Sequence, residues 1–167
     1  MKIFISIIIV TLFSSFSYAD KNMKIGFKGK ESDVTRVIKV VMYDNYYEPS
    51  SFKIKAGETI KFEVENLGEL VHEFNIANKM MHIKHQPEMQ RMVENEILLA
   101  DSIDRVKMKK MAKMDKAMGH SHSNSVLLEP KQKGNIIWKF DNAVNIEIAC
   151  NVPGHYQVGM IAKVDIN

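Results

Sequence analysis

Apolar residues recur at every second position in a series of short segments, and that period fits strands and little else. Ile38, Val40 and Met42 alternate with Lys39, Val41 and Tyr43. Phe52 and Ile54 alternate with Lys53 and Lys55, and the pattern stops at the turn pair Ala56-Gly57. Ile60, Phe62 and Val64 alternate with Lys61, Glu63 and Glu65 and stop at Asn66-Leu67-Gly68. Val71 to Ile76 predicts another strand, as do Ile136, Trp138 and Phe140, then Ile146, Ile148 and Cys150, and finally Ile161 to Ile166. About seven short strands separated by turn signals predict an all-β chain, a sandwich in which each sheet keeps one wet face.

One stretch breaks this rhythm. Residues 78–125 hold almost no β-branched residues and much Met, Lys and Glu, although the chain has only 12 Met. Gln86 to Leu99 and Ser102 to Met118 have helix-forming composition, so the stretch reads as a Met/His-rich helical insertion between two strands. Met108, Met111, Met114 and Met118 form one stripe on a helix, and Met81, His85, Met89 and Met92 form a second. Gly119-His120-Ser121-His122 follows the first stripe. Met fills irregular gaps well, so packing against the sandwich is one reading. The other is secondary copper binding: thioethers are soft and stay unprotonated, which suits Cu(I), while His120 and His122 suit Cu(II).

The first residues read as an address. Lys2 precedes an apolar run from Ile3 to Phe16, and Ser17-Tyr18-Ala19 places small residues at −3 and −1 of a cut before Asp20. This is the pattern of a secretory signal peptide, residues 1–19, cleaved after Ala19; the run is short of the ~20 residues of a membrane span. A periplasmic location follows as the expectation, with no stable membrane span after cleavage. Residues 20–33, rich in Lys, Gly and Ser, read as a flexible lead-in, and residues 34–167 as one domain interrupted by the insertion. Net charge is +3, too small a bias to suggest nucleic acid, and no recognition motif supports one.

Export sharpens the meaning of the single Cys, which rules out an internal disulfide. Cys150 is in phase with Ile146 and Ile148 and points inward at a strand end. In Cys150-Asn-Val-Pro-Gly-His155-Tyr-Gln-Val-Gly-Met160 the Pro153-Gly154 pair turns the chain so that His155 returns beside Cys150, with Met160 nearby. A thiolate, an imidazole and a thioether suit copper, whereas Mg²⁺ and Ca²⁺ want oxygen. His72, at the start of a strand, is the candidate for a fourth ligand. Taken singly, an inward Cys, a strand His and a buried Met are more often core than ligands. Their order and spacing together favour a metal. Zinc also takes Cys and His but has little use for a thioether, which makes Met160 the discriminating residue.

The chain resembles the cupredoxins, the small blue copper protein family that includes plastocyanin, azurin and auracyanin. The likeness runs from Phe52-Lys-Ile-Lys-Ala-Gly-Glu-Thr-Ile-Lys-Phe-Glu-Val-Glu-Asn66 through Val71-His72-Glu-Phe, and again through the Cys150–Met160 loop. It covers residues 34–77 and 126–167. It implies a cupredoxin-like Greek-key β-sandwich and one type 1 copper ion, with His72, Cys150 and His155 as strong ligands and Met160 as the weak axial one. The Cys-x4-His-x4-Met spacing is longer than plastocyanin's and, in its second half, one residue longer than azurin's. Glu73 stands where plastocyanin and azurin have Asn, a feature shared with bacterial periplasmic cupredoxins linked to copper resistance.

The resemblance further implies that His155 reaches the surface as an electron port, ringed by Pro153, Gly154 and Tyr156, where a redox partner protein would dock. No Ser-His-Asp order, paired-carboxylate motif or phosphate loop is present, so an enzyme is not expected; Cu(I) oxidation is the one catalytic option left. Two functions remain open. One is periplasmic copper handling of resistance type with Cu(I)/Cu(II) cycling, using the insertion as well as the main site. The other is a soluble electron carrier between respiratory partners, with the insertion as a docking or packing element.

Overall fold

A computed structural model describes residues 25–141 and 143–167; the predicted signal segment lies outside the described residues. The strands are β1 (Phe27–Lys28), β2 (Arg36–Tyr43), β3 (Tyr46–Glu48), β4 (Ser51–Ile54), β5 (Thr59–Asn66), β6 (His72–Asn78), β7 (Ser125–Leu128), β8 (Lys133–Lys139), β9 (Ile146–Ala149) and β10 (Ile161–Ile166). They form two five-stranded sheets, ordered β1-β8-β5-β2-β3 and β4-β10-β9-β6-β7. The pairs β2/β5 and β4/β10 are parallel, and the remaining pairs are antiparallel.

The predicted alternation is what the sandwich buries. Phe62 lies at the centre of the interior, with its ring 5.7 Å from Phe52, 5.2 Å from Phe74 and 6.1 Å from Phe140. The facing rows, including Ile60, Val64, Ile76, Trp138 and Ile148, close the same core. Cys150 and Met160 belong to it, which places both ends of the Cys150–Met160 loop in the apolar interior.

The chain departs from the expected flexible lead-in. β1 pairs with β8, Phe27 opposite Lys139 and Lys28 opposite Trp138. Ile25 is buried, and its carbonyl accepts a 2.6 Å hydrogen bond from Trp138 Nε1. Gly26, at φ +91°, permits this approach, because a Cβ there would lie 2.1 Å from the Lys139 carbonyl oxygen. A two-residue strand has no readable period, and the three-residue β3 has hardly more.

The insertion runs between β6 and β7. Helix α1 spans Lys79–Glu94, capped by Asn78 Oδ1 accepting from the Met81 amide at 2.9 Å. It starts well before Gln86, the predicted beginning, and continues through Pro87. Pro is most at home at a helix's first position and removes a hydrogen bond from the interior of this one. Docking of one face outweighs the lost hydrogen bond: Met89 and Met92 are fully buried. The second predicted helix, Ser102 to Met118, is shorter. Helix α2 covers Arg105–Met111, and a separate 3-10 turn covers Lys116–Gly119. Asp115 explains the break, since its side chain caps the new turn at the Ala117 amide and also pairs with Arg91 at 3.0 Å.

The insertion has a small core of its own, built from Met89, Met92, Ile97, Leu98, Ile103, Met108 and Met118 against Val71 and Leu127. This cap also removes the wet face expected for β6. Every residue of that strand is buried. Phe74 and Ile76 face the sandwich core, while Glu73 and Asn75 lie on the opposite side of the strand.

Two stability outcomes follow. Phe62→Ala should cost about 3–5 kcal/mol in urea unfolding, because it empties the centre of the core. Met89→Leu with Met92→Leu should cost less than about 1.5 kcal/mol per site and leave copper stoichiometry unchanged, since volume is nearly conserved in a dry cluster. A change in bound copper in that variant would refute a purely packing role for these two side chains.

Candidate metal centre

β6 and the loop after β9 deliver the ligand candidates to one point. His72 opens β6, and Cys150 follows β9, its antiparallel neighbour. After Cys150 the chain folds through tight turns: the His155 amide donates to the Val152 carbonyl at 2.9 Å and the Val158 amide to the Gly154 carbonyl at 3.1 Å. The Met160 amide then donates to the His155 carbonyl at 3.0 Å, and the Cys150 amide to the Met160 carbonyl at 3.2 Å. Gly154 (φ +93°) and Gly159 (φ +92°) supply left-handed backbone that other residues rarely adopt. The loop is thereby clamped with His155 and Met160 beside Cys150.

His72 Nδ1 is 3.2 Å from His155 Nδ1, and Cys150 Sγ lies 3.9 Å from the first and 3.4 Å from the second. A trigonal ion with bonds of ~2.3 Å to sulfur and ~2.05 Å to nitrogen requires S···N near ~3.8 Å and N···N near ~3.6 Å. The three atoms match that triangle within a few tenths of an ångström. His72 and Cys150 are fully buried and His155 partly so. Met160 is buried at the same end.

Electrostatics prepare the site for a cation. Burial lowers the His72 pKa against the opposing pull of Asp44, and burial together with the neighbouring His72 takes His155 down to about 4. Both imidazoles are therefore neutral near pH 7, with lone pairs available. Burial pushes the Cys150 thiol up to about 12, so an incoming ion must displace its proton. A neutral N₂S triangle with one exchangeable proton suits a soft or borderline transition ion and offers nothing to Mg²⁺ or Ca²⁺.

These features meet independent comparisons. A cupredoxin-like domain family matches residues 4–99 of the chain. A copper-resistant cuproprotein CopI from Pseudomonas aeruginosa is 37% identical over 147 residues, covering 84% of this chain and 81% of that protein. The Rubrivivax gelatinosus protein of the same name is 27% identical, covering 87% and 74%. This chain belongs to the cupredoxin-like family. Solved structures agree on the fold: auracyanin B superposes with a TM-score of 0.59 at 12% identity over 85% of this chain and 96% of its own. An azurin from Methylomonas sp. strain J gives 0.55 at 12% identity over 80% and 99%.

Other residues of this cupredoxin support the triangle, and sequence alone did not reveal them. Asp44, in the β2–β3 turn, places Oδ1 2.8 Å from His72 Nε2. That bond fixes the proton on Nε2 and leaves Nδ1 facing Cys150. Asp44 is itself held by the Glu69 and Leu70 amides. Gly68 is obligatory here, since a Cβ would lie 2.4 Å from Asp44 Oδ1. Nothing local marks Asp44 as functional, because it is 28 residues from His72.

Glu73 braces the ligand-candidate loop. Its amide donates to Cys150 Sγ at 3.3 Å, and its carboxylate accepts from the Asn151 amide (3.2 Å) and Asn151 Nδ2 (2.7 Å). The other carboxylate oxygen accepts from Asn75 Nδ2 at 3.0 Å and lies 3.2 Å from His85 Nε2 and 2.9 Å from His120 Nε2. Burial would raise its pKa, but His120 and His85 hold it well below the usual carboxylate range. Buried His82 supports Asn151 from behind, with Nδ1 3.2 Å from Asn151 Oδ1.

The insertion's candidates separate by chemistry. His85, His120 and His122 come together. Met81, His85, Met89 and Met92 share one face of the continuous helix α1, as expected, whereas Met108, Met111, Met114 and Met118 do not form a single stripe. Met89, Met92, Met108 and Met118 are buried in the insertion's own core, Met111 packs at its edge, and Met81 packs on the sandwich. Met114 is 77% exposed and stands apart. The end of α2 at Met111 and the new turn capped by Asp115 are the cause, since they interrupt the helical period on which the Met108–Met118 stripe depended.

Asp44→Ala should weaken copper binding about 10–100-fold in competition with a chelator of known affinity. Gly68→Ala should move it in the same direction by displacing the carboxylate. Wild-type affinity in both variants would remove Asp44 from the support of His72.

Proposed function

We propose that the chain binds one copper ion through His72, Cys150 and His155, with Met160 as a weak axial ligand, and serves copper handling and resistance outside the cytoplasm. The observation that carries this reading is the triangle of two neutral imidazoles and one thiol, at distances suited to a trigonal ion. Relatives named for copper resistance, matched over most of their length, support the physiological half. A thiolate–bis-imidazole set with a weak thioether serves both Cu(I) and Cu(II), so bound copper would supply one-electron redox chemistry. The chain's own residues hold that geometry: the clamped loop fixes His155, Asp44 orients His72, and the Glu73 amide donates to the sulfur. No catalytic role is assigned, and Cu(I)/Cu(II) cycling belongs to this proposal. Cleavage after Ala19 and delivery to the periplasm belong to it too.

Electron transfer between partner proteins is the second reading, favoured by one feature. His155 lies beside an apolar cleft lined by Leu70, Val93, Leu99, Ala100, Val152 and Pro153. Leu99 and Val93 are exposed there, a surface on which a redox partner could sit.

Addition of Cu(II) to the metal-free protein should produce intense visible thiolate-to-copper absorption, absent in Cys150→Ser. Cells lacking the protein should lose copper tolerance, and the Cys150→Ser gene should not restore it. Restoration by that variant would defeat the handling role. Normal tolerance with impaired respiration would favour the carrier.

A further inference from the structure

Beside the main centre lies a second constellation. His85 comes from α1, and His120 and His122 from the segment entering β7, so only the folded insertion unites them. Their ring centroids form a nearly equilateral triangle with sides of 5.3, 5.0 and 5.2 Å. One ring nitrogen from each lies within 4.8 Å of the others. With bonds of ~2.0–2.1 Å to an ion, three nitrogens sharing it lie about 3.5 Å apart, so the rings would draw together by about 1 Å or less on binding if they start near that 4.8 Å bound.

Two carboxylates stand behind the rings. Glu73 Oε1 takes Nε2 of both His85 and His120, and Glu88 Oε1 takes His122 Nε2 at 2.9 Å. For His120 and His122, a carboxylate that holds the proton on Nε2 leaves Nδ1 as the donor, the arrangement by which proteins orient metal-binding histidines, whereas His85 faces a carboxylate with each nitrogen and would exchange one of those contacts for the ion. Glu88 Oε2 is also 3.5 Å from His85 Nδ1, close enough to act as a further oxygen ligand. A fully buried Glu73 demands positive charge beside it. A divalent ion among the rings would add to the positive charge around that carboxylate. Access exists, because His85 and His122 line an open cleft of about 330 Å³ with Met81, Lys84 and Asn124.

We propose that His85, His120 and His122, backed by Glu73 and Glu88, form a second metal centre for a divalent imidazole-preferring transition ion, Cu(II) foremost, and that Glu73 couples it to Cys150. Cu(II) stands first because nitrogen sites bind it more tightly than the other divalent first-row ions. The coupling is through one residue: the Glu73 carboxylate bonds His85 and His120 while its amide donates to Cys150 Sγ. Only this coupling rests on the copper reading of the main site. Added positive charge near the thiolate favours the lower-charged state of a copper ion there, so filling the second centre should raise the main centre's potential.

The test uses the full mature protein. Cys150→Ser lacks the thiolate centre, so Cu(II) bound tightly by it reports on the second one. Equilibrium dialysis should find one Cu(II) per chain, with electron paramagnetic resonance of a nitrogen-ligated ion and no intense visible band. Adding His120→Gln and His122→Gln should weaken that binding about tenfold or more. Should that combination not fold, His122→Gln alone, whose ring is part exposed, should show the same direction. Unaltered binding in these variants, or no tight Cu(II) in Cys150→Ser, overturns the site.

For the coupling, Zn(II) is added to wild-type protein already carrying one copper. The visible band should shift and the potential rise, and neither should occur with His120→Gln/His122→Gln. A constant band and potential overturn the coupling alone. Failure of the main site would appear separately, as a wild-type protein without thiolate absorption.

Discussion

A carboxylate sealed away from water has to be surrounded by donors, and Glu73 organises this molecule on that condition. Removing such a charge from water costs several kcal/mol, recovered only by hydrogen bonds and positive partners. Every partner of Glu73 comes from a different part of the chain. Asn151 comes from the ligand loop, Asn75 from its own strand, His85 from α1 and His120 from the approach to β7. Its backbone serves as well: the amide donates to Cys150 Sγ, and the carbonyl accepts from Tyr47 Oη at 2.6 Å. One residue thus ties the sandwich, the ligand loop and the insertion together.

The rest of the insertion serves that burial. A sandwich sheet normally leaves one face wet, and Glu73 would lie on that face. The insertion covers it with a separate apolar cluster rich in methionine, while its histidines descend onto the polar row of β6. The same covering brings His85, His120 and His122 together. His85 shows the consequence in its charge: burial would lower its pKa, but Glu73 and Glu88 raise it to about 10. Glu88 correspondingly falls to about 2, against burial, under the influence of His122 and His85. Asp44 applies the same principle at the main centre, where a carboxylate sets which nitrogen of His72 is free.

Much of this was legible from spacing. The period-two rows located the long strands, because one face of each strand must be apolar whatever its neighbours are. The Cys150–Met160 loop was legible because its candidate ligands lie close in sequence and its turn residues set how the chain returns. The two helical segments were legible in kind but not in extent. Helix ends depend on caps such as Asn78 and Asp115, and on which face docks. The stripe from Met108 to Met118 failed for that reason, since its period assumed a continuous helix through Asp115, while the stripe on α1 held.

By itself, then, the sequence determined the sandwich, the covering insertion and the candidate ligands of the main centre, since these follow from local periodicity and short-range spacing. Tertiary structure alone decided that Asp44 supports His72, that the methionines divide between two cores, and that three histidines and two glutamates converge beside Cys150. Those pairings join residues tens of positions apart. Their partners are chosen by burial and charge balance, which exist only once the chain has closed on itself.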